Sequence, residues 1–259
     1  MGYVTSFINN INSRNIHKAS CTKSGLIPMK ALNICVNLMR FLKIYNFVYT
    51  ISLVLFNISK RKKLLKFYSQ FVKKDDLCFD IGANLGSRTE VFLIQKAVSN
   101  NVGEEDLMIS NSHTVSSMSK KWIDSLKSSD MFFISTSAFQ WQKSVKVTVT
   151  TLDHLIKEFG RPAFCKIDVE GYEYKVLKGL SKSVGVISFE FTPTQEFIYE
   201  AVDTIKHLAN IGEVEFNYSL GASMELAIEK WIGPEEISNI LLKLLQKTSF
   251  CGDIYAKFI

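Results

Sequence analysis

The segment Leu77-Cys78-Phe79-Asp80-Ile81-Gly82-Ala83-Asn84-Leu85-Gly86 constrains the fold of this chain more than any other. Its first five residues read as a short buried strand, and Gly82 to Gly86 as a turn that leads into a helix. In an open parallel sheet such a junction lies at the carboxyl edge of the strands, where ligands bind. Gly82 and Gly86 carry no side chain, so the backbone there can turn sharply and approach a ligand closely. Asp80, at the end of the strand, is placed to meet a cationic amine.

The rest of the chain alternates in the same way. Leu64, Leu65, Phe67, Tyr68, Phe71 and Val72 keep a helical spacing ahead of the motif. After it, residues 96–99 and 105–110 read as extended, with a turn at Asn100 to Gly103, and a Ser-rich, partly helical stretch follows to about Ser137. Val145, Val147 and Val149 alternate with polar residues and lead into a helix at 151–159. Strand 163–168, helix 172–180, strand 184–191, helix 194–209, strand 214–218, helix 234–245 and strand 254–259 complete the pattern. Strands alternating with helices predict an α/β layered fold, with a mainly parallel sheet and helices on both faces.

The spacing D-x-G-x-N-x-G differs from the G-x-G-x-x-G turn that sets two phosphates over a helix N-terminus. An acid ahead of widely set glycines suits a cofactor that carries an amino acid and no phosphate, and S-adenosylmethionine is such a cofactor. Asp80, Gly82, Asn84 and Gly86 are therefore the candidate cofactor-binding residues. A glycine turn with a purely structural role is the other reading of the same residues. A nicotinamide-dependent oxidoreductase is a weaker one, because G-x-G-x-x-G is missing.

A second block points the same way. Thr150-Thr151-Leu152-Asp153 opens a short helix, and Phe164-Cys165-Lys166-Ile167-Asp168-Val169-Glu170-Gly171-Tyr172-Glu173 follows it. This block closely resembles the FkbM family of methyltransferases, whose members carry a T-L-D helix followed by K-I-D-V-E-G-x-E. Phe79 to Gly86 resembles the same family's cofactor loop, and Ala97-Val98-Ser99, Ile187 to Phe191 and Gly252 to Ala256 also fit. The resemblance covers roughly Lys63 to Ile259 and implies a class I, Rossmann-like methyltransferase fold. It also implies methyl transfer from S-adenosylmethionine, usually to a hydroxyl on a sugar, polyketide or similar small molecule.

Methyl transfer from a sulfonium asks little of a protein beyond aligning acceptor oxygen, methyl carbon and sulfur. A neutral hydroxyl also needs a base. Asp168 and Glu170 straddle the end of a buried strand beside the cofactor loop, which makes them the catalytic candidates, with Asp168 facing the site and Glu170 supporting it. Capping of the following helix is their alternative role. His113 and Glu173 are candidate residues of the acceptor pocket. Two acids with no third ligand in view give no metal site. Lys166 is expected to reach out of its strand or to pair with an acid.

One departure from the family's pattern bears on activity. Val91-Phe92-Leu93 runs straight into Ile94-Gln95-Lys96-Ala97, whereas a parallel crossover needs about a dozen residues at least. The chain is therefore expected to lack the region of the second strand, whose terminal acid holds the cofactor's ribose in the family. The alternative to an active O-methyltransferase is an impaired or inactive remnant of the fold with at most a binding role. Glu104, Glu105 and Asp106 stand about 20 residues beyond the motif, as in dinucleotide folds, but they follow a turn in what reads as a later hairpin.

Composition sets the outer limits. The net charge of +6 is uneven: Met1 to Lys74 contains no Asp or Glu, so the basic character belongs to the N-terminal segment and the remainder is net acidic. With no basic groove motif, nucleic acid is not an expected partner. Five cysteines, none in a CxxC pair, give neither a zinc site nor a disulfide framework, and Cys78 and Cys165 read as buried thiols. Residues 1–62 are expected to form a basic, partly hydrophobic helical segment, and residues 63–259 the methyltransferase domain. Ile44 to Ser59 has no charged side chain but falls short of the roughly 20 apolar residues that span a bilayer. It reads as a helix packed on the domain, or as an interfacial anchor with its basic flank on anionic lipid. The expected partner is a small hydroxyl-bearing acceptor, and the expected setting is cytoplasmic, with weak membrane association through residues 44–59 as the alternative.

Overall fold

Burial of both faces of a strand requires cover on both sides of its sheet, and β5 (Phe164–Ile167) and β6 (Val186–Phe191) have that pattern. The structure, a computed structural model, describes residues 62–82, 94–128, 139–221, 223–245 and 251–259. All of them belong to one unit, Lys62–Ile259. The chain runs through α1 (62–68), β1 (Cys78–Ile81), β2 (Ala97–Val98), β3 (Gly103–Ser110), a 3-10 turn (His113–Val115), α2 (Lys120–Ser128) and β4 (Trp141–Thr150). It continues through α3 (Leu152–Phe159), β5, α4 (Glu173–Lys178), β6, α5 (Gln195–Ile211), β7 (Val214–Leu220), α6 (Pro234–Leu244) and β8 (Gly252–Phe258).

The larger sheet has the order β1-β5-β6-β8-β7, its first three strands parallel and β8 antiparallel to both of its neighbours. A second sheet has the order β2-β4-β3, with β2 parallel to the end of β4 and β3 antiparallel along β4, the 3-10 turn and α2 lying between β3 and β4 in the chain. The fold is α/β, as the alternation predicts, and its sheets are mixed. Alternation of strands and helices does not reveal that the last strand enters between β6 and β7 and runs against them. Glu104, Glu105 and Asp106 lie in β3, which pairs with β4 and not with β2 across the turn at Asn100 to Gly103.

Among the described residues β1 is the end strand of its sheet. Residues 83–93, which hold Asn84 and Gly86 and the short join, lie outside the described residues, as does the uncharged run 44–59. No helix among the described residues is long and apolar enough to cross a membrane.

Period-two alternation sorts the side chains of the larger sheet onto two faces. On one face Phe79, Cys165 and Ile187, register neighbours in β1, β5 and β6, pack with Leu152 and Ile156 of α3. On the other, Phe164 and Tyr255 meet Phe67, Tyr68 and Phe71 of α1 and the turn after it, with ring centroids 5.5–5.6 Å apart. Ring pairs of this kind contribute about 0.5–1.5 kcal/mol each beyond the area they bury. Helices thus cover the sheet on both sides.

The helices begin where their sequences say they should. Thr151 caps α3 by accepting from His154 N at 3.1 Å, and Gly160, at φ 101°, ends it. Leu152 enters the core at 2% exposure, and Asp153 Oδ1 accepts from Ser181 N at 2.9 Å. The T-L-D motif therefore caps α3, packs it, and ties it to the turn after α4. Thr194 caps α5, and α6 opens on Pro234 with Glu235 and Glu236 in its first turn, where the helix dipole favours acids.

Candidate active site

Because β1 and β5 are parallel neighbours, Asp80 stands opposite Lys166 and Ile81 opposite Ile167, so both motifs end at one edge of the sheet. Asp168 N donates to Ile81 O at 3.0 Å. Gly82 turns at φ 91°, so close to the next strand that a Cβ on it would lie 1.8 Å from the Asp168 carbonyl oxygen. Only glycine fits such an approach. Asp80 is exposed beside this turn.

Past β5 the chain turns through Glu170 at φ 55° and Gly171 at φ 81°. Glu173, 8% exposed, braces this turn from α4: its Oε1 accepts from Val169 N at 3.0 Å and from Gly171 N at 3.3 Å. Glu173 is not among the residues that line the cavity at Glu170, and its carboxyl holds the loop backbone. Burial pushes it up to about 7, against the lowering effect of the donors it accepts. Ser117 Oγ donates to Glu170 O at 2.7 Å, which fastens the turn from a second side.

Lys166 does pair with an acid, Nζ to Asp168 Oδ2 at 2.5 Å. Asp168, Glu170 and Glu190 each bring a carboxylate oxygen within 4.8 Å of the others. Glu190 comes from β6, outside the K-I-D-V-E-G block. Ile167 is the register partner of Phe189, so Glu190 continues β6 at the level where Asp168 leaves β5. Burial, then the Asp168 and Glu173 charges, push Glu170 up to about 8. Burial, then the charges of Glu170 and Glu173, raise Glu190 well above the usual carboxylate range.

Glu170 and Glu190 form the acidic end of a cavity of about 230 Å³, whose other walls include Val115, Trp122, Leu126, Trp141 and Thr192. Trp122 Nε1 donates to Thr192 Oγ1 at 3.3 Å, and Trp141 Nε1 donates to Val115 O at 2.8 Å. Each indole is therefore held at both its apolar body and its polar tip. Glu170 lines the cavity, and Asp168, paired with Lys166, stands beside it with its carboxylate partly exposed. His113 lies in the 3-10 turn that ends at Val115; its side chain is outside what the structure describes.

Glu105 is engaged elsewhere. Ser99 Oγ donates to its Oε1 at 2.6 Å and the Tyr172 hydroxyl donates to its Oε2, which joins β3 to the start of α4. Sequence reasoning missed Glu190, Trp122 and Trp141. A signal existed for Glu190, the one charged residue in the buried strand Val186–Phe191. For Trp122 the signal was the helical spacing of Trp122, Ile123 and Leu126, which marks a buried face but not a cavity wall.

Fold and geometry together define an α/β domain with a candidate ligand site at the carboxyl edge of its parallel strands. The family model of the methyltransferase FkbM domain matches residues 73–220, more than half of the chain, and the chain belongs to that family. The match runs from the approach to β1 through the end of β7, so both motifs and the second sheet fall inside it. No curated protein and no solved structure matches the chain.

Proposed function

We propose that this chain is an S-adenosylmethionine-dependent methyltransferase that methylates a hydroxyl on a small molecule or sugar. The observation that carries this reading is the contact between the Gly82 turn and the Asp168 carbonyl, which joins the Asp80 motif to the acidic end of an aromatic-walled cavity.

The residues fit the cofactor. Asp80 offers an exposed carboxylate to the amino group of its methionine portion, and Gly82 leaves backbone room that any Cβ would fill. Bound there, the cofactor supplies a methyl group already activated by a positively charged sulfur. The chain aligns the acceptor and handles its proton. Trp122 and Trp141 offer fixed apolar faces to an acceptor ring, the kind of wall that dominates small-molecule pockets. Asp168, paired with Lys166, accepts a hydrogen bond from the acceptor hydroxyl and receives its proton as the oxygen takes the methyl group, with Glu170 beside it as a second hydrogen-bond partner.

The place of β1 at the end of its sheet among the described residues favours a second reading, a domain that keeps the fold but holds the cofactor weakly. A lost carboxylate contact to the ribose would cost about 1.5–3 kcal/mol per hydrogen bond. Calorimetry with S-adenosylmethionine separates the two. Micromolar binding that Asp80→Ala abolishes supports the enzyme, and no binding at millimolar ligand supports the remnant. Binding that survives Asp80→Ala would overturn the assignment of the cofactor site.

A further inference from the structure

Three carboxylates meet where the cavity ends, and only Asp168 has a partner, Lys166. Among the described residues, no hydrogen bond or salt bridge reaches the carboxylate of Glu170 or Glu190. Glu190 is deeply set in β6. Its register partner on β8 is Asp253, a further acid, and its carboxylate opens into the cavity. A deeply set carboxylate without a donor is costly, and such groups call for a ligand.

We infer that Asp168, Glu170 and Glu190 form a site for a divalent cation at the acidic end of the cavity. The three oxygens lie within 4.8 Å of one another. That spacing is about twice the 2.0–2.6 Å bond of Mg²⁺, Mn²⁺ or Ca²⁺ to oxygen, so one ion can touch all three. The donors are carboxylate oxygens alone, which select hard cations over zinc or copper. Cys251, also on the cavity wall, is not among the three clustered groups, and hard cations take oxygen in preference to sulfur. Lys166 pairs with Asp168, which leaves Glu170 and Glu190 without a cationic salt-bridge partner among the described residues.

The protein fills three of the six or more positions such an ion takes, leaving the others to water and to oxygens of an acceptor. Its role in turnover rests on the methyl-transfer reading: a hydroxyl bound to the ion gives up its proton more readily, so the acids act through the ion. Binding of the ion does not rest on that reading.

The test is a Mn²⁺ titration of the chelator-treated full chain, followed by electron paramagnetic resonance without S-adenosylmethionine. One Mn²⁺ per chain is expected, displaced by excess Mg²⁺ or Ca²⁺. Glu190→Gln and Asp168→Asn should each weaken binding by roughly tenfold or more. Glu225→Gln, at an exposed acid paired with Lys63, should leave it unchanged. Near-UV circular dichroism checks that each variant is folded, and if Glu190→Gln is not, Asp168→Asn decides. Absence of a stoichiometric Mn²⁺ site in the wild type, or equal affinity in wild type and folded variants, overturns the proposal. Either result leaves the cofactor titration with Asp80→Ala standing as a separate question.

Discussion

The backbone of Gly82 lies against the carbonyl of Asp168, with 1.8 Å between that oxygen and the place a Cβ would occupy. The neighbour is backbone at the end of a buried strand, so it cannot swing aside as a flexible side chain would. Gly82→Ala also places a side chain at φ 91°, where L residues are strained. The variant should lose at least about 2 kcal/mol of stability, seen as a lowered urea midpoint, and any S-adenosylmethionine binding with it. Gly212→Ala is the control, since its Cβ would meet nothing nearer than the Phe258 ring at 3.5 Å. Equal midpoints for the two variants would show that the Gly82 approach is not a constraint.

Glu173 gives the loop a pH dependence whose sign is fixed. A carboxyl raised in the folded state binds its proton more tightly there than in the unfolded chain. Its contribution to stability is full below about 4.3, the ordinary glutamate value. It is lost as pH rises through about 7. Glu173→Gln keeps an oxygen for the Val169 and Gly171 N–H groups but cannot ionise. Wild type and variant should therefore be of similar stability near pH 4.5, with the variant the more stable at pH 8. Urea curves at the two pH values read the difference directly, because Glu170, Glu190 and Asp253 are common to both. Parallel pH profiles would mean that Glu173 does not titrate in this range.

The fold was legible where local chemistry decides it. Thr151 and Thr194 announce their helices as caps, and Pro234 marks the start of α6. The arrival of the Asp80 and Asp168 motifs at one sheet edge was legible too, since parallel strands deliver their carboxyl ends to one edge. What stayed hidden depends on pairing across long stretches of chain. No local pattern places β8 between β6 and β7, or brings Glu190 to the acids of β5. Trp122 reaches the cavity through Thr192 and Gly171, contacts that no period in its own stretch encodes. Cys78 was misread as buried, and alternation held the correction: it shares a face with Asp80, and both are exposed.

That pair of cysteines separates cleanly in reactivity. Cys165 is buried between β1 and β6, and burial raises its thiol far above the ordinary range, so thiolate is scarce at neutral pH. Cys78 is exposed at the start of β1. Iodoacetamide followed by peptide mass mapping should modify Cys78 in the native protein and Cys165 only after denaturant is added. Native labelling of Cys165 at a rate like that of Cys78 would contradict the packing of Phe79, Cys165 and Ile187 under α3.

Trp122 is the side chain whose removal should distinguish wall from framework. At 3% exposure it packs in a cluster with Ile123, Leu126 and Phe197, and its ring lies where a Cβ on Gly171 would come within 2.3 Å. Trp122→Ala empties that space and should cost about 3–5 kcal/mol, enough to confuse lost binding with lost fold. Trp122→Phe keeps most of the apolar contact and removes the N–H that Thr192 accepts, at about 1 kcal/mol. Because the indole lines the cavity and the Asp80 turn does not, the Phe variant should bind S-adenosylmethionine as the wild type does. Its KM for the acceptor should rise more than its kcat falls, the signature of lost ground-state binding. A Phe variant with weakened cofactor binding and an unchanged acceptor KM would move the acceptor out of this cavity.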